Sequence, residues 1–191
     1  MPGDVGAPVT CFEFFLTLLA ITALHVDDEI FCSASLVIPD KAGRILNIAG
    51  WTGASNFGIR LLTPSGSFGV QGTTDWEQDP ASIALQVRAL LVYKSLPSEV
   101  SPCLQRPRWY PTAVMMSNGS ILIVGGSESE SGGVQPNLEI LPRVPGGDTT
   151  VYLGFLEETA PWNVYPFLFV LPSGNIFIGG CTLRFGDFFC H

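Results

Sequence analysis

The chain has 191 residues, 47% of them hydrophobic and 14% charged, which excludes a disordered chain and indicates a buried core of one domain or part of one. Its formal net charge of -8 argues against nucleic-acid binding, because phosphate contacts need clustered Lys and Arg side chains. The 21 glycines and 15 prolines are spread along the sequence and indicate many tight turns. This composition favours an all-β fold.

The first feature along the chain is an apolar run from Cys11 to Leu24, which is too short for a membrane span. Two interpretations stay open. The run has the length of the apolar part of a secretion signal, although Glu13 interrupts it and no Lys or Arg precedes it. Alternatively, a misassigned gene start contributes this segment. We predict no membrane span and treat residues 1–23 as a separate segment.

Three later segments share one pattern: an apolar run, a polar turn, a second apolar run and a small pair ending in Gly. They are Ser35–Gly50, Thr112–Gly126 and Phe167–Gly180. The turns Ser117-Asn118-Gly119 and Pro172-Ser173-Gly174 predict β-hairpins. The last two glycine pairs are separated by about 50 residues, a spacing typical of kelch-type propeller blades. A β-sandwich with similar hairpins is the alternative.

Cysteine and histidine content limits the metal chemistry of the chain. No two cysteines are spaced as C-x-x-C, so a structural zinc site is not expected. The histidines are His25 and His191. With so few imidazoles, a copper or zinc centre built from this sequence alone is difficult to form. The cysteines are Cys11, Cys32, Cys103, Cys181 and Cys190.

Several long motifs, in order, resemble fungal glyoxal oxidases, which are copper-radical oxidases related to galactose oxidase. The quoted motifs are LHVDDEIFCSASLVIPDKAGRILNIAGW, GIRLLTPSGS, RPRWYPTAVMMSNGSILIVGG and NVYPFLFVLPSGNIFI. The resemblance covers residues 24–180, apart from an insert near 87–104, and leaves 181–191 as an unmatched tail. It implies the N-terminal region of a seven-bladed kelch-type propeller, truncated after about three blades.

The resemblance also implies a reaction and a cofactor. Family enzymes oxidise small aldehydes to carboxylic acids while reducing dioxygen to hydrogen peroxide, outside the cell. Their cofactor is copper with a tyrosine joined through its ring to a cysteine sulfur. By motif, the cysteine falls on Cys32 in IFCSAS and the tyrosine on Tyr110 in RWYPTA. Thioether substitution makes the phenol easier to oxidise, and the Tyr110 oxygen would also bind the metal.

The sequence departs from the family at the other copper ligands. Family enzymes add a Tyr-His pair and a distant histidine, and this sequence has no Tyr-His dipeptide. We therefore expect the chain as written to bind no redox copper and to be inactive. Galactose oxidase stacks a tryptophan over its modified tyrosine, just after the glycine pair of that blade. Here Ser127-Glu128 follow Gly125-Gly126, so we expect the ring of Tyr110 to be less shielded.

Asn118-Gly119-Ser120 is an N-glycosylation sequon on a predicted hairpin, although Asn-Gly also serves simply as the turn. The alternative function is a non-enzymatic kelch-type propeller that binds protein or glycan partners through its loops.

Overall fold

The computed structural model describes residues 11–14, 21–51, 53–64, 72–73, 75–78, 103–142 and 150–180, with backbone only before residue 24. The predicted tail at 181–191 and nearly all of the insert near 87–104 lie outside the described residues. The strands are β1 (Cys11–Phe14), β2 (Ile21–Leu24), β3 (Ala34–Val37), β4 (Ile45–Ile48), β5 (Ile59–Leu62), β6 (Thr112–Met115), β7 (Ile121–Val124), β8 (Asn137–Leu141), β9 (Val151–Tyr152), β10 (Phe167–Val170) and β11 (Ile176–Gly179).

These strands form four antiparallel sheets, ordered β1-β2, β3-β4-β5, β6-β7-β8-β9 and β10-β11. Helix is limited, in the described residues, to a 3-10 helix at Gly53–Phe57 and the helix α1 at Gly154–Glu158. The all-β prediction is confirmed. The three segments that share the apolar-turn-apolar pattern form the hairpins β3-β4, β6-β7 and β10-β11.

Turn glycines close the second and third of these hairpins. Gly119 has a φ of +84° and Gly174 has a φ of +85°, a left-handed conformation that glycine adopts without steric cost. The Met116 N–H donates to the Ser120 carbonyl at 2.8 Å and closes the β6-β7 hairpin. The Asn-Gly and Ser-Gly turns therefore occur where the sequence predicts them.

The core forms two layers on the two sides of β7. Ile121 and Ile123 pack with Leu46, Ile48 and other residues of the three-stranded sheet. Leu122 and Val124 pack on the other side with Leu156 of α1 and Leu168 of β10. Alternate residues of β7 therefore face different sheets, and this explains why its sequence is apolar without polar alternation.

The first strands of the three hairpin sheets lie in series, with β3 against β6 and β6 against β10. This arrangement brings the segments that precede β3, β6 and β10 to the same end of the fold. In the last sheet, β10 exposes Phe167 and Phe169, each more than half accessible to solvent. No helix in the described part of the chain is both long and apolar enough to cross a bilayer.

Candidate active site

Cys32 lies in a tight bend two residues before β3. Its φ of +59° is unusual for a residue with a side chain, and the Ser33 N–H closes the bend on the Ile30 carbonyl at 3.1 Å. The thiol is partly exposed and forms no disulfide with another described residue. The bend presents Cys32 toward the loop that precedes β6.

Tyr110 occupies the matching place two residues before β6, with a φ of +61°. Its backbone N–H donates to the Cys32 carbonyl at 3.0 Å. A side-chain hydrogen bond with Cys32 is the main cause that raises the pKa of the Tyr110 hydroxyl, and desolvation adds to it. The structure therefore brings together the two residues that the sequence nominates, although they are far apart along the chain.

A buried arginine anchors the segment before Tyr110. Arg108 is fully buried, and its guanidinium pairs with the buried carboxylate of Glu139 on β8 at 2.9 Å. It also donates to the backbone carbonyls of Gly125 at 2.7 Å and Asn137 at 3.2 Å. These contacts fix the loop against the ends of β7 and β8, because a buried cation must be paired to remain stable.

The first bend is anchored in a similar way. Arg60 on β5 is almost fully buried and donates through Nε to the Asp28 carboxylate at 2.6 Å. Its other donors reach the Ala49 carbonyl at 2.6 Å and the Asn47 side-chain oxygen at 3.0 Å. Asp28 lies shortly before Cys32 in the chain. Each half of the site therefore rests on a buried arginine and a carboxylate.

Glycine permits the closest approach at the site. The Trp109 and Ser127 backbones exchange two hydrogen bonds at 2.8 Å, which holds Tyr110 beside the end of β7. Gly126 has a φ of +88°, and a Cβ placed there would lie 2.6 Å from the Trp109 carbonyl oxygen and 3.2 Å from the Tyr110 carbonyl carbon. Only a residue without a side chain fits this position.

Two aromatic rings pack on the Tyr110 ring. The Trp109 ring lies at a centroid distance of 4.2 Å with an interplanar angle of 39°. The Tyr165 ring comes from the junction of the second and third hairpin sheets. It lies at a centroid distance of 5.1 Å with an interplanar angle of 80°, an edge-to-face contact. These two rings come from positions other than Ser127-Glu128, and the Tyr110 side chain stays partly exposed, so the expectation of a less shielded ring remains a prediction.

Sequence reasoning missed Tyr165, although a signal was present. Tyr165-Pro166 precedes β10 just as Tyr110-Pro111 precedes β6. Burial is the main cause that raises the pKa of Tyr165 to about 12, and the neighbouring Cys32 and Tyr110 add to the shift. The side chain is nevertheless 44% exposed, so it is covered on one side only.

The described residues do not supply a complete copper site. Tyr110 fits as one oxygen ligand and lies beside the cysteine of the expected cross-link. Among the residues with described side chains, no three His, Cys, Asp or Glu residues cluster as metal ligands would. His25 is exposed and pairs with Asp27 at 2.8 Å, and His191 lies beyond the described part. Cys32 and Tyr110 have the residue types that the expected cross-link needs, and the described residues add no cluster of further ligands beside them.

Comparison with known proteins identifies the class. No family model matches the chain. A WSC domain-containing protein of Arthroderma benhamiae is 44% identical over 153 residues, covering 80% of this chain and 14% of that protein. The aldehyde oxidase GLOX of Vitis pseudoreticulata is 27% identical over 158 residues, covering 83% of this chain and 24% of that protein. The chain therefore spans a quarter or less of these relatives.

A solved structure shares the fold. It is a fungal alcohol oxidase of the AA5 family in complex with copper, with a TM-score of 0.53 and 19% identity, covering 85% of this chain and 30% of that one. This likeness shows the fold alone, so the class that it defines is an all-β protein of antiparallel sheets. Within that class the chain is glyoxal-oxidase-like, which confirms the resemblance noted in the sequence.

Proposed function

We propose that this chain supplies the cysteine–tyrosine half of a copper-radical oxidase site. The complete protein would convert a small aldehyde such as glyoxal or methylglyoxal, with water and dioxygen, into a carboxylic acid and hydrogen peroxide. The observation that carries the proposal is the contact between Cys32 and Tyr110 at the junction of two sheets. An aldehyde oxidase among the relatives supports the reaction class.

The chemistry assigned to the chain is the formation of an oxidisable side chain. A bond between the Cys32 sulfur and the Tyr110 ring would lower the oxidation potential of the phenol and spread the unpaired electron onto sulfur. Bound copper would exchange the second electron of the two-electron oxidation. The neighbouring Cys32 raises the pKa of the Tyr110 hydroxyl, and a metal held through this oxygen would have to displace its proton.

The proposed architecture is part of a seven-bladed kelch-type propeller, with the three hairpin sheets as consecutive blades. Support comes from two backbone hydrogen bonds that repeat at each sheet junction. At the first junction, Tyr110 N–H donates to the Cys32 carbonyl and Gly50 N–H to the Arg108 carbonyl. At the second junction, the Tyr165 N–H donates to the Tyr110 carbonyl and the Gly126 N–H donates to the Asn163 carbonyl.

By itself the chain is inactive in this proposal, because one tyrosine oxygen binds copper weakly and the histidine ligands of the family have no counterparts in the matched segments. The remaining ligands would come from later blades of the complete protein. An extracellular location, as in the family, is part of the same proposal. Small aldehydes and dioxygen are the proposed reactants.

Two experiments test the proposal. Sequencing the mature transcript asks whether it continues to a Tyr-His pair and a further histidine. The complete translated protein is then loaded with copper, exposed to dioxygen and mapped by peptide mass spectrometry, with Cys32→Ser as the control. We expect a linked Cys32–Tyr110 peptide pair lighter by two hydrogen atoms, and hydrogen peroxide release from glyoxal.

Separate, unmodified peptides after copper and oxygen exposure would contradict the oxidase proposal. In that case the non-enzymatic propeller becomes the better interpretation, and the same protein would be tested for glycan binding. Peroxide release by the 191-residue chain alone would contradict the inference that its ligand set is incomplete.

A further inference from the structure

Three residues occupy one repeated position in the fold. Cys32, Tyr110 and Tyr165 each lie two residues before the first strand of a sheet, and each has a positive φ, of 59°, 61° and 48° respectively. The N–H of each later residue donates to the carbonyl of the earlier one, at 3.0 Å and then 2.8 Å. The fold therefore lines up three side chains, although the expected cofactor uses two.

Tyr165 contacts both members of the pair. Its ring packs edge-to-face on the Tyr110 ring at 5.1 Å, and its N–H bonds to the Tyr110 backbone. Its hydroxyl donates to the carbonyl of Ser33, the residue after Cys32, at 3.3 Å. Cys32 also lies close enough to contribute to the raised pKa of the Tyr165 hydroxyl. One residue from the third sheet thus spans the junction between the first two.

We propose that Tyr165 is a positioning residue that holds the Tyr110 ring against the Cys32 sulfur so that the thioether can form. This inference rests on the proposed cysteine–tyrosine cofactor. It assigns Tyr165 no contact with substrate and no place in the covalent bond. Its role is to remove the rotational freedom of the Tyr110 ring, since a partly exposed tyrosine on a loop would otherwise sample several orientations.

The covalent step balances without any electron from Tyr165. The Cys32 S–H bond and one Tyr110 ring C–H bond are lost, and a carbon–sulfur bond forms. The two electrons and two protons reduce one dioxygen to hydrogen peroxide. The Tyr165 hydroxyl takes no part in this step and donates to the Ser33 carbonyl at 3.3 Å.

The test uses the whole 191-residue chain and an oxidant that needs no copper. A photoexcited ruthenium tris-bipyridyl sensitiser with persulfate removes the two electrons, and persulfate is cleaved to two sulfate ions. The initial rate of Cys32–Tyr110 coupling is followed by peptide mapping. Tyr165→Leu and Tyr165→Met remove the ring contact, whereas Tyr165→Phe retains it. The matched control is Tyr152→Phe, an exposed tyrosine on the edge strand β9.

We expect the leucine and methionine variants to couple on the order of tenfold more slowly than wild type, as misplaced reacting groups do. Tyr165→Phe should stay within a few-fold of wild type, because it retains the ring contact and loses only the hydrogen bonds of the hydroxyl. Tyr152→Phe should match wild type, and wild type unfolded in urea should give the baseline rate.

Coupling at the wild-type rate in a folded leucine or methionine variant, judged by circular dichroism, would overturn the inference. So would a bond from Cys32 to Tyr165 instead of Tyr110, or no coupling in folded wild type. Coupling under photo-oxidation that depends on Tyr165, together with no copper-dependent peroxide formation in the complete protein, would support this inference and refute the oxidase proposal.

Discussion

Replacing Gly126 by alanine should both destabilise the fold and disturb the Cys32–Tyr110 pair. Gly126 has a φ of +88°, which costs a residue with a side chain roughly 1–2 kcal/mol. The added Cβ would also lie 2.6 Å from the Trp109 carbonyl oxygen, so the backbone must move, at about 1–3 kcal/mol. We therefore expect a total loss of about 2–5 kcal/mol in the free energy of unfolding.

Gly174 provides a matched control, because its φ is +85° and a Cβ there meets no atom within 4 Å. Gly174→Ala should lose only the backbone term of roughly 1–2 kcal/mol. Urea unfolding followed by circular dichroism measures both variants, and photochemical Cys32–Tyr110 coupling reports on the site. Equal destabilisation by the two substitutions would refute the reasoning, as would wild-type coupling in folded Gly126→Ala.

The remaining predictions concern the buried charges, the pH dependence and the sequon. Arg108→Met should lower the free energy of unfolding in urea by about 3–5 kcal/mol, because it leaves the Glu139 carboxylate buried without its cation. The control Lys41→Met, at an exposed position, should change it little, and similar losses in both variants would contradict the prediction. Because the pKa of Tyr165 is raised to about 12 in the folded state, the unfolded state loses its proton first as pH rises. Stability should therefore fall from about pH 10 to pH 12, and Tyr165→Phe should flatten that fall; parallel curves would refute the assignment. Asn118 of the sequon is exposed on the β6-β7 turn, so secreted protein should lose mass on treatment with peptide N-glycosidase. Asn118→Gln should abolish that loss, and an unchanged mass in secreted wild type would contradict the prediction.

The hairpins and the cysteine–tyrosine pair were accessible from the sequence for different reasons. Local turn chemistry specifies a hairpin, since Asn118-Gly119 and Ser173-Gly174 require a left-handed glycine between short apolar runs. Cys32 and Tyr110 were found by resemblance of their motifs to a known family. No local property of either residue predicted that their backbones would meet at 3.0 Å.

The supporting contacts were not accessible in the same way. Arg60 and Arg108 are buried, although arginine is mostly exposed in proteins, so their pairing with Asp28 and Glu139 depends on how the sheets stack. Tyr165 was missed because its role depends on that stacking as well. A comparison of the residues two places before each predicted strand would have singled it out.

The repeated bend gives a physical reason for the location of the site. Left-handed backbone at Cys32, Tyr110 and Tyr165 costs roughly 1–2 kcal/mol at each residue, so the surroundings must enforce it. The enforcing contacts repeat from sheet to sheet, as the bonds of Gly50 and Gly126 to the next loop show. The bend therefore belongs to the architecture, because it recurs whether the residue is cysteine or tyrosine. The chemistry of each position depends on the side chain that the bend carries, and the stacking of the sheets brings a thiol and two phenols together at one end of the fold.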